Sequence, residues 1–235
     1  MQLAQTIVQL LEQLEPRSLE ERQRVRRGYT FATQIFAGRY RACGRPFVSH
    51  LIGTASALDR EGAPIDIVLA GLLHAAYEQG AFPSVPDRRT QVREAIGEAA
   101  EALVHRYQHF DTARVPDDIS ETERDVVLLR IANEFDECGD RGMRYVGPKK
   151  RARTLAGIPK YIKAARAYGL PHLAEGLETA MAENEGAPEP GLAGESDGSY
   201  TLTPPLRTQF RKRIQTRRRA FKQARRAFFR RLRGR

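Results

Sequence analysis

Apolar residues recur at helical spacing along most of the chain, and glycine and proline punctuate them. Residues 1–14 and 18–36 carry this pattern, with Pro16 between them. After a break at Gly38, Gly44 and Pro46, a helix is predicted from Phe47 to Arg60, with Leu51, Ala55 and Leu58 on one face and Gly62 at its end. Pro64 then opens IDIVLAGLLHAAYEQ, which is apolar on every side between Asp66 and Glu78, as expected for a helix buried in the middle of a domain. Beyond a Gly and Pro loop at 80–87, helices are predicted over Arg88–His109 and Glu121–Glu137, then shorter ones near 149–168 and 171–184. No stretch sustains the two-residue alternation of a half-buried sheet. The expected fold class is therefore all-α.

Composition narrows the class further. The chain has 235 residues, 41% of them hydrophobic and 29% charged, with mean hydropathy −0.53. That is long enough to bury a core without staples. No apolar run approaches the ~20 residues that span a bilayer, and the N-terminus lacks the basic and small-residue features of a signal peptide, so a cytoplasmic location is expected. Cys43 and Cys138 then read as two free thiols.

Charge divides the chain. The net charge is +10, but Arg207–Arg235 holds 14 Lys or Arg and no acid, which leaves 25 basic against 29 acidic residues, net −4, in residues 1–206. A helical domain is expected over 1–183, a Gly-, Pro- and Glu-rich flexible linker over 184–203, and a basic amphipathic helix over 204–235. In that last segment Phe210, Ile214, Phe221, Phe228 and Leu232 fall in one narrow stripe, flanked by Arg217, Arg218 and Arg225. Stripe and charge together suit peripheral contact with an anionic membrane, such as the inner face of the cell membrane, better than nucleic acid; an acidic partner would serve as well.

Chemistry is expected where polar groups interrupt apolar helices. His50 follows Pro46 and Phe47; His74 sits within the most apolar helix, one turn before Glu78; Arg130 and Asn133 lie a turn apart beside a later apolar stripe. Burying an imidazole or a carboxylate alone is costly, so these groups should be paired or bound to something. Arg39, Arg41 and Arg45, in a glycine-containing loop before His50, have the guanidinium forks that suit a phosphate, and Tyr77 offers a hydroxyl. His105 and His109 share a helical face without a third ligand and read as surface. The basic stretch RYVGPKKRAR at 144–153 opens a helix, where its positive side chains oppose the dipole, and carries little weight as an anion site.

The stretch FAGRYRACGRPFVSHLIGTASALDREGAPIDIVLAGLLHAAYEQG, residues 36–80, resembles the HD-domain superfamily, most closely the HD hydrolase domain of guanosine tetraphosphate hydrolases. CGRPFVSH matches the approach to the first histidine, His50; LAGLLHAAYEQ gives His74 as the second; LLRIANEFDE places Asn133 where the family has its last metal-binding aspartate. The chain resembles still better an uncharacterised bacterial family of divergent HD-like domains with HLxGT and AGLxHxxY signatures, which read here without a change as HLIGT and AGLLHAAY. The resemblance is strongest over residues 30–140.

It implies an HD-like helical bundle and a divalent ion held by His50 and His74, with Glu78 and Asn133 acting on water or substrate. Two carboxylates of the pattern are replaced, by Ala75 and Asn133. Neutral imidazoles and an amide hold Mn²⁺ or Mg²⁺ poorly, whereas a transition ion such as Zn²⁺ or Fe²⁺ is compatible with His50, His74 and a carboxylate. Two functions follow: a metal-dependent phosphohydrolase acting on a phosphate ester or nucleotide, or a catalytically silent HD-like protein binding a small anionic ligand or a partner and tethered by its basic tail. Deletion of residues 204–235 is expected to abolish co-sedimentation with anionic liposomes while leaving the far-ultraviolet helical signal of the rest; full retention on liposomes would remove the tail from membrane contact.

Overall fold

The computed structural model describes residues 2–82, 87–112, 115, 123–185 and 197–202. The chain divides into two units, Met1–Thr201 and Leu202–Arg235. The expected tail contacts Phe210, Ile214, Arg217, Arg218, Phe221, Arg225, Phe228 and Leu232, the tail helix that carries them, and most of the expected linker lie outside the described residues.

The first unit is a helical bundle. A short helix and a long one start it, α1 (Ile7–Gln13) and α2 (Leu19–Ile35), each opened by a capping box: the Thr6 and Ser18 hydroxyls accept from the amides of Gln9 and Glu21, whose side chains reach back to the cap amides. The first helix begins later than its periodicity predicts, because Thr6 caps it and the amide of Ala4 instead donates to Ser56 (3.0 Å). A two-residue strand β1 (Arg39–Tyr40) leads into α3 (Phe47–Arg60), and a short turn joins α3 to α4 (Ile65–Leu73). Then come α5 (Ala76–Gln79), α6 (Arg88–Ile96), α7 (Glu98–His109), α8 (Arg124–Cys138), α9 (Pro148–Ala167) and α10 (Pro171–Glu185). A second two-residue strand, β2 (Tyr200–Thr201), pairs antiparallel with β1, Tyr40 opposite Tyr200.

The centre of the bundle is the α3–α4 hairpin. Every residue of α4 from Ile67 to Leu73 is buried, in keeping with its all-round apolar sequence. Full burial of side chains such as Leu69, Leu72 and Leu73 is worth about 1.5–3 kcal/mol each. The two helices approach closely because Gly71 has no side chain: a Cβ there would lie 2.7 Å from Leu58 and 3.2 Å from the Cα of Ala55. Around this hairpin, α8 packs on α3, α2 and α7 pack on α4, and α9 and α10 close over α8. Arg17 fastens the N-terminal helices to the hairpin through Asp59 (2.7 Å) and the Ala63 carbonyl (2.7 Å).

Two helices that the sequence pattern reads as continuous are broken. Gly97, at φ 94° and ψ 164°, separates α6 from α7 in a conformation open only to glycine. His74 and Ala75 form a turn between α4 and α5, so the helix stops at the second histidine rather than running through it. Among the described residues no helix is long and apolar enough to cross a membrane, and Cys43 and Cys138 are free. Gly97→Ala is expected to cost about 1–3 kcal/mol, read as a lower urea midpoint with an unchanged slope; an unaltered midpoint would show that the α6–α7 junction does not need this backbone conformation.

Candidate functional site

His50 and His74 lie the same number of residues either side of Gly62, the turn of the α3–α4 hairpin. Antiparallel packing therefore carries both to the same end of the hairpin. Their ring centroids are 5.2 Å apart at an interplanar angle of 82°. Phe47 meets His50 edge-on at 5.7 Å, and Tyr107 from α7 meets His74 edge-on at 5.3 Å. Both imidazoles are buried.

Each ring is held by its Nδ1. His74 Nδ1 lies 2.8 Å from the Gly71 carbonyl oxygen, and His50 Nδ1 lies 2.5 Å from Oδ2 of Asp136, one turn after Asn133 on α8. Asp136 is fully enclosed and is gripped by Arg45, which donates to both carboxylate oxygens and to the Asp136 carbonyl (3.2 Å). Burial raises the Asp136 carboxyl above its usual range, and Arg45 opposes that rise. Because Arg45 already balances the carboxylate, His50 sees little net negative charge from it. Burial, followed by the nearby Arg41 and Arg45, holds His50 well below the ordinary imidazole value; burial and the neighbouring ring do the same to His74. Their burial thus favours the neutral form of both imidazoles.

Above these rings opens a cleft of about 550 Å³. His74, Ala75, Glu78, Asn133, Arg41 and Arg130 line it; His50 lies directly beneath, ringed by Phe47, His74 and Asn133. The other expected contacts are committed elsewhere. Arg39 donates to Gln79 (2.6 Å), Arg45 serves Asp136, and the Tyr77 hydroxyl donates to Glu101 (2.6 Å), which also takes two hydrogen bonds from Arg89. The His105 and His109 rings lie 4.8 Å apart, tilted at 57°, with His105 half-buried and His109 exposed on α7. Glu78 is exposed at the rim.

The far wall of the cleft is α9, which the sequence reading weighted lightly. Lys150, Arg153, Lys160 and Tyr161 line it, because Gly147 and Pro148 start the helix at the cleft's edge. Lys150 reaches Glu137 (2.5 Å), which also pairs with Arg41; Arg130 stacks over the Tyr107 ring at 4.2 Å and pairs with Glu134 at 3.7 Å. Burial, with Arg41 nearby, lowers the Lys150 ammonium to about 8. The segment Asp197–Ser199 also lines the cleft, with the Asp197 carboxylate accepting from the Lys150 amide (3.1 Å) and Tyr200 stacked on Tyr40 at 5.6 Å.

The residues at the imidazole pair do not fit the divalent ion that the resemblance implies. Ala75 and Asn133 supply no anion, Asp136 faces the Nδ1 side of His50 and is neutralised by Arg45, and several cations surround both rings. Among the described residues no three His, Cys, Asp or Glu side chains come together as ligands.

Residues 32–112 match a family model described as a domain of unknown function, DUF6817. No curated protein matches the chain. Among solved structures it is similar to a metazoan ortholog of SpoT that hydrolyzes ppGpp and plays a role in starvation responses, with TM-score 0.50 and 15% identity over 69% of this chain and 96% of that one. The fold is thus an all-α, HD-like bundle.

One substitution tests the Asp136 arrangement directly. A Cβ on Gly53 would fall 1.7 Å from Oδ1 of Asp136, so Gly53→Ala must expel that carboxylate from Arg45 and His50. A loss of about 3–5 kcal/mol, the cost of breaking a buried ion pair, is expected in equilibrium unfolding; a change under ~0.5 kcal/mol, the range of an ordinary surface substitution, would mean that the carboxylate is not there.

Proposed function

We propose that the protein is an HD-like binding protein whose cleft takes a small phosphorylated ligand, a phosphate ester or nucleotide, without a divalent ion. The observation that carries this reading is the chemistry of the cleft: neutral imidazoles in place of a carboxylate-bearing metal centre, walled by Arg41, Arg130, Lys150 and Arg153. Arg41, Arg130 and Lys150 are held in place by Glu137 and Glu134, and a guanidinium fixed by one carboxylate still has donors to offer a phosphate. One fold hosts many activities, so the residues and not the fold support the assignment.

Calorimetry with adenosine and guanosine 5′-monophosphates in EDTA tests it. Binding is expected without metal, and Arg130→Ala or Lys150→Ala should weaken it at least ~10-fold, the scale of a charge-assisted hydrogen bond lost. Affinity should fall as pH rises through about 8, because Lys150 gives up its proton there while a phosphomonoester, with its second pKa near ~6, stays dianionic. Lys150→Arg should flatten that fall. Absence of binding would overturn the reading; binding or phosphate release that appears only with Mn²⁺ or Zn²⁺ would establish a metal-dependent phosphohydrolase in its place.

A further inference from the structure

The partners of the two imidazoles determine more than their position. Asp136 offers His50 a carboxylate, and Gly71 offers His74 a backbone carbonyl; both are acceptors only. An unprotonated Nδ1 at 2.5 or 2.8 Å from such an oxygen would set lone pair against lone pair, so each ring carries its proton on Nδ1. Arg45 also approaches His50 Nδ1, at 3.4 Å, but Asp136 is far closer and decides the tautomer. In a neutral imidazole the other nitrogen is then an acceptor. His50 Nε2 is buried beside the Asn133 side chain without a well-formed hydrogen bond, and the ring of His74 faces the cleft.

We infer that Asp136, clamped by Arg45, and the Gly71 carbonyl lock both imidazoles in the Nδ1–H form, so that His74, the ring that lines the cleft, offers it an acceptor nitrogen and the ligand must bring an O–H or N–H donor together with its anionic group. The inference rests on the anion-binding reading above and deepens it. A phosphate dianion has no proton to give, so the donor has to come from the organic part of the ligand. The class this selects is a hydroxyl- or amino-bearing phosphate ester, in preference to inorganic phosphate or a simple alkyl phosphate. Asp136 is a positioning residue here: it fixes the proton of His50, the ring packed edge-on against His74.

Nitrogen-15 NMR of the imidazoles in the full chain, titrated with glycerol 3-phosphate and with methyl phosphate, tests the inference. Before ligand, both rings should show a protonated Nδ1 and an unprotonated Nε2; an Nε2–H form at either ring overturns the lock. Glycerol 3-phosphate should move the His74 Nε2 resonance and bind roughly 10-fold tighter than methyl phosphate, about one hydrogen bond's worth. Equal affinity with an unmoved Nε2 overturns the donor requirement while leaving anion binding intact. If neither ester binds, the anion-binding reading fails and the donor requirement falls with it, which the tautomer measurement separates from a failure of the lock. Asp136→Ala, which removes the acceptor and leaves the Arg45 donor nearest His50 Nδ1, should shift the His50 proton to Nε2 and leave His74 unchanged; an unshifted His50 proton in the folded variant overturns the role of Asp136. Should that variant fail to fold, the wild-type spectrum alone decides the tautomers.

Discussion

One buried carboxylate ties the site together. Asp136 sits on α8, yet it is reached by Arg45 from the loop after β1 and by His50 from α3, so three separate stretches of chain meet at its two oxygens. An unpaired carboxylate with no exposure would cost several kcal/mol, and only this convergence makes its burial tolerable. The loop bearing Arg45 is thereby fixed, and with it Arg41, which turns the other way into the cleft to meet Glu137. A structural ion pair on one side of the loop thus orients a cleft-facing guanidinium on the other.

The same residues explain how this bundle keeps two buried histidines without a hard-cation site around them. Hard cations need anionic oxygen, and the carboxylates deepest in this cleft are otherwise engaged: Glu134 with Arg130, Glu137 with Arg41 and Lys150, Asp136 with Arg45, while Glu78 stands exposed at the rim. Around the imidazoles, cationic side chains line the cavity wall. Such a site favours negative charge on its occupant. Asp197 already supplies some, at the amide end of α9.

Much of this was legible in the chain. Helical periodicity located the bundle, and the all-round apolar run marked α4 as its centre. The equal distances of His50 and His74 from a glycine turn are visible in the sequence once those two helices are read as a hairpin. Asp136 was harder to see, because an acid in the run ANEFDE looks like one more solvated charge; only its place a turn after Asn133, flanked by Phe135 and Ile131 on a buried face, hints otherwise. The break after His74 was invisible, since LLHAAYEQ has no glycine or proline to mark it. The basic start of α9 was discounted for a sound electrostatic reason that tertiary structure overrides: Glu137 arrives from α8 to balance Lys150. The return of residues 197–201 to β1 depends on a cross-strand aromatic pair, Tyr40 and Tyr200, which no local pattern announces.

Gly53 is the feature with the widest reach. Its missing side chain is the space that Asp136 fills. A larger residue at 53 needs a smaller one at 136, and a chain that gave up the acid at 136 would be released from keeping glycine at 53. The two positions, on different helices and far apart in the chain, therefore form one heritable unit. Among homologues they should covary as a pair, and lineages that part with one should drift at the other, carrying the His50 tautomer with them.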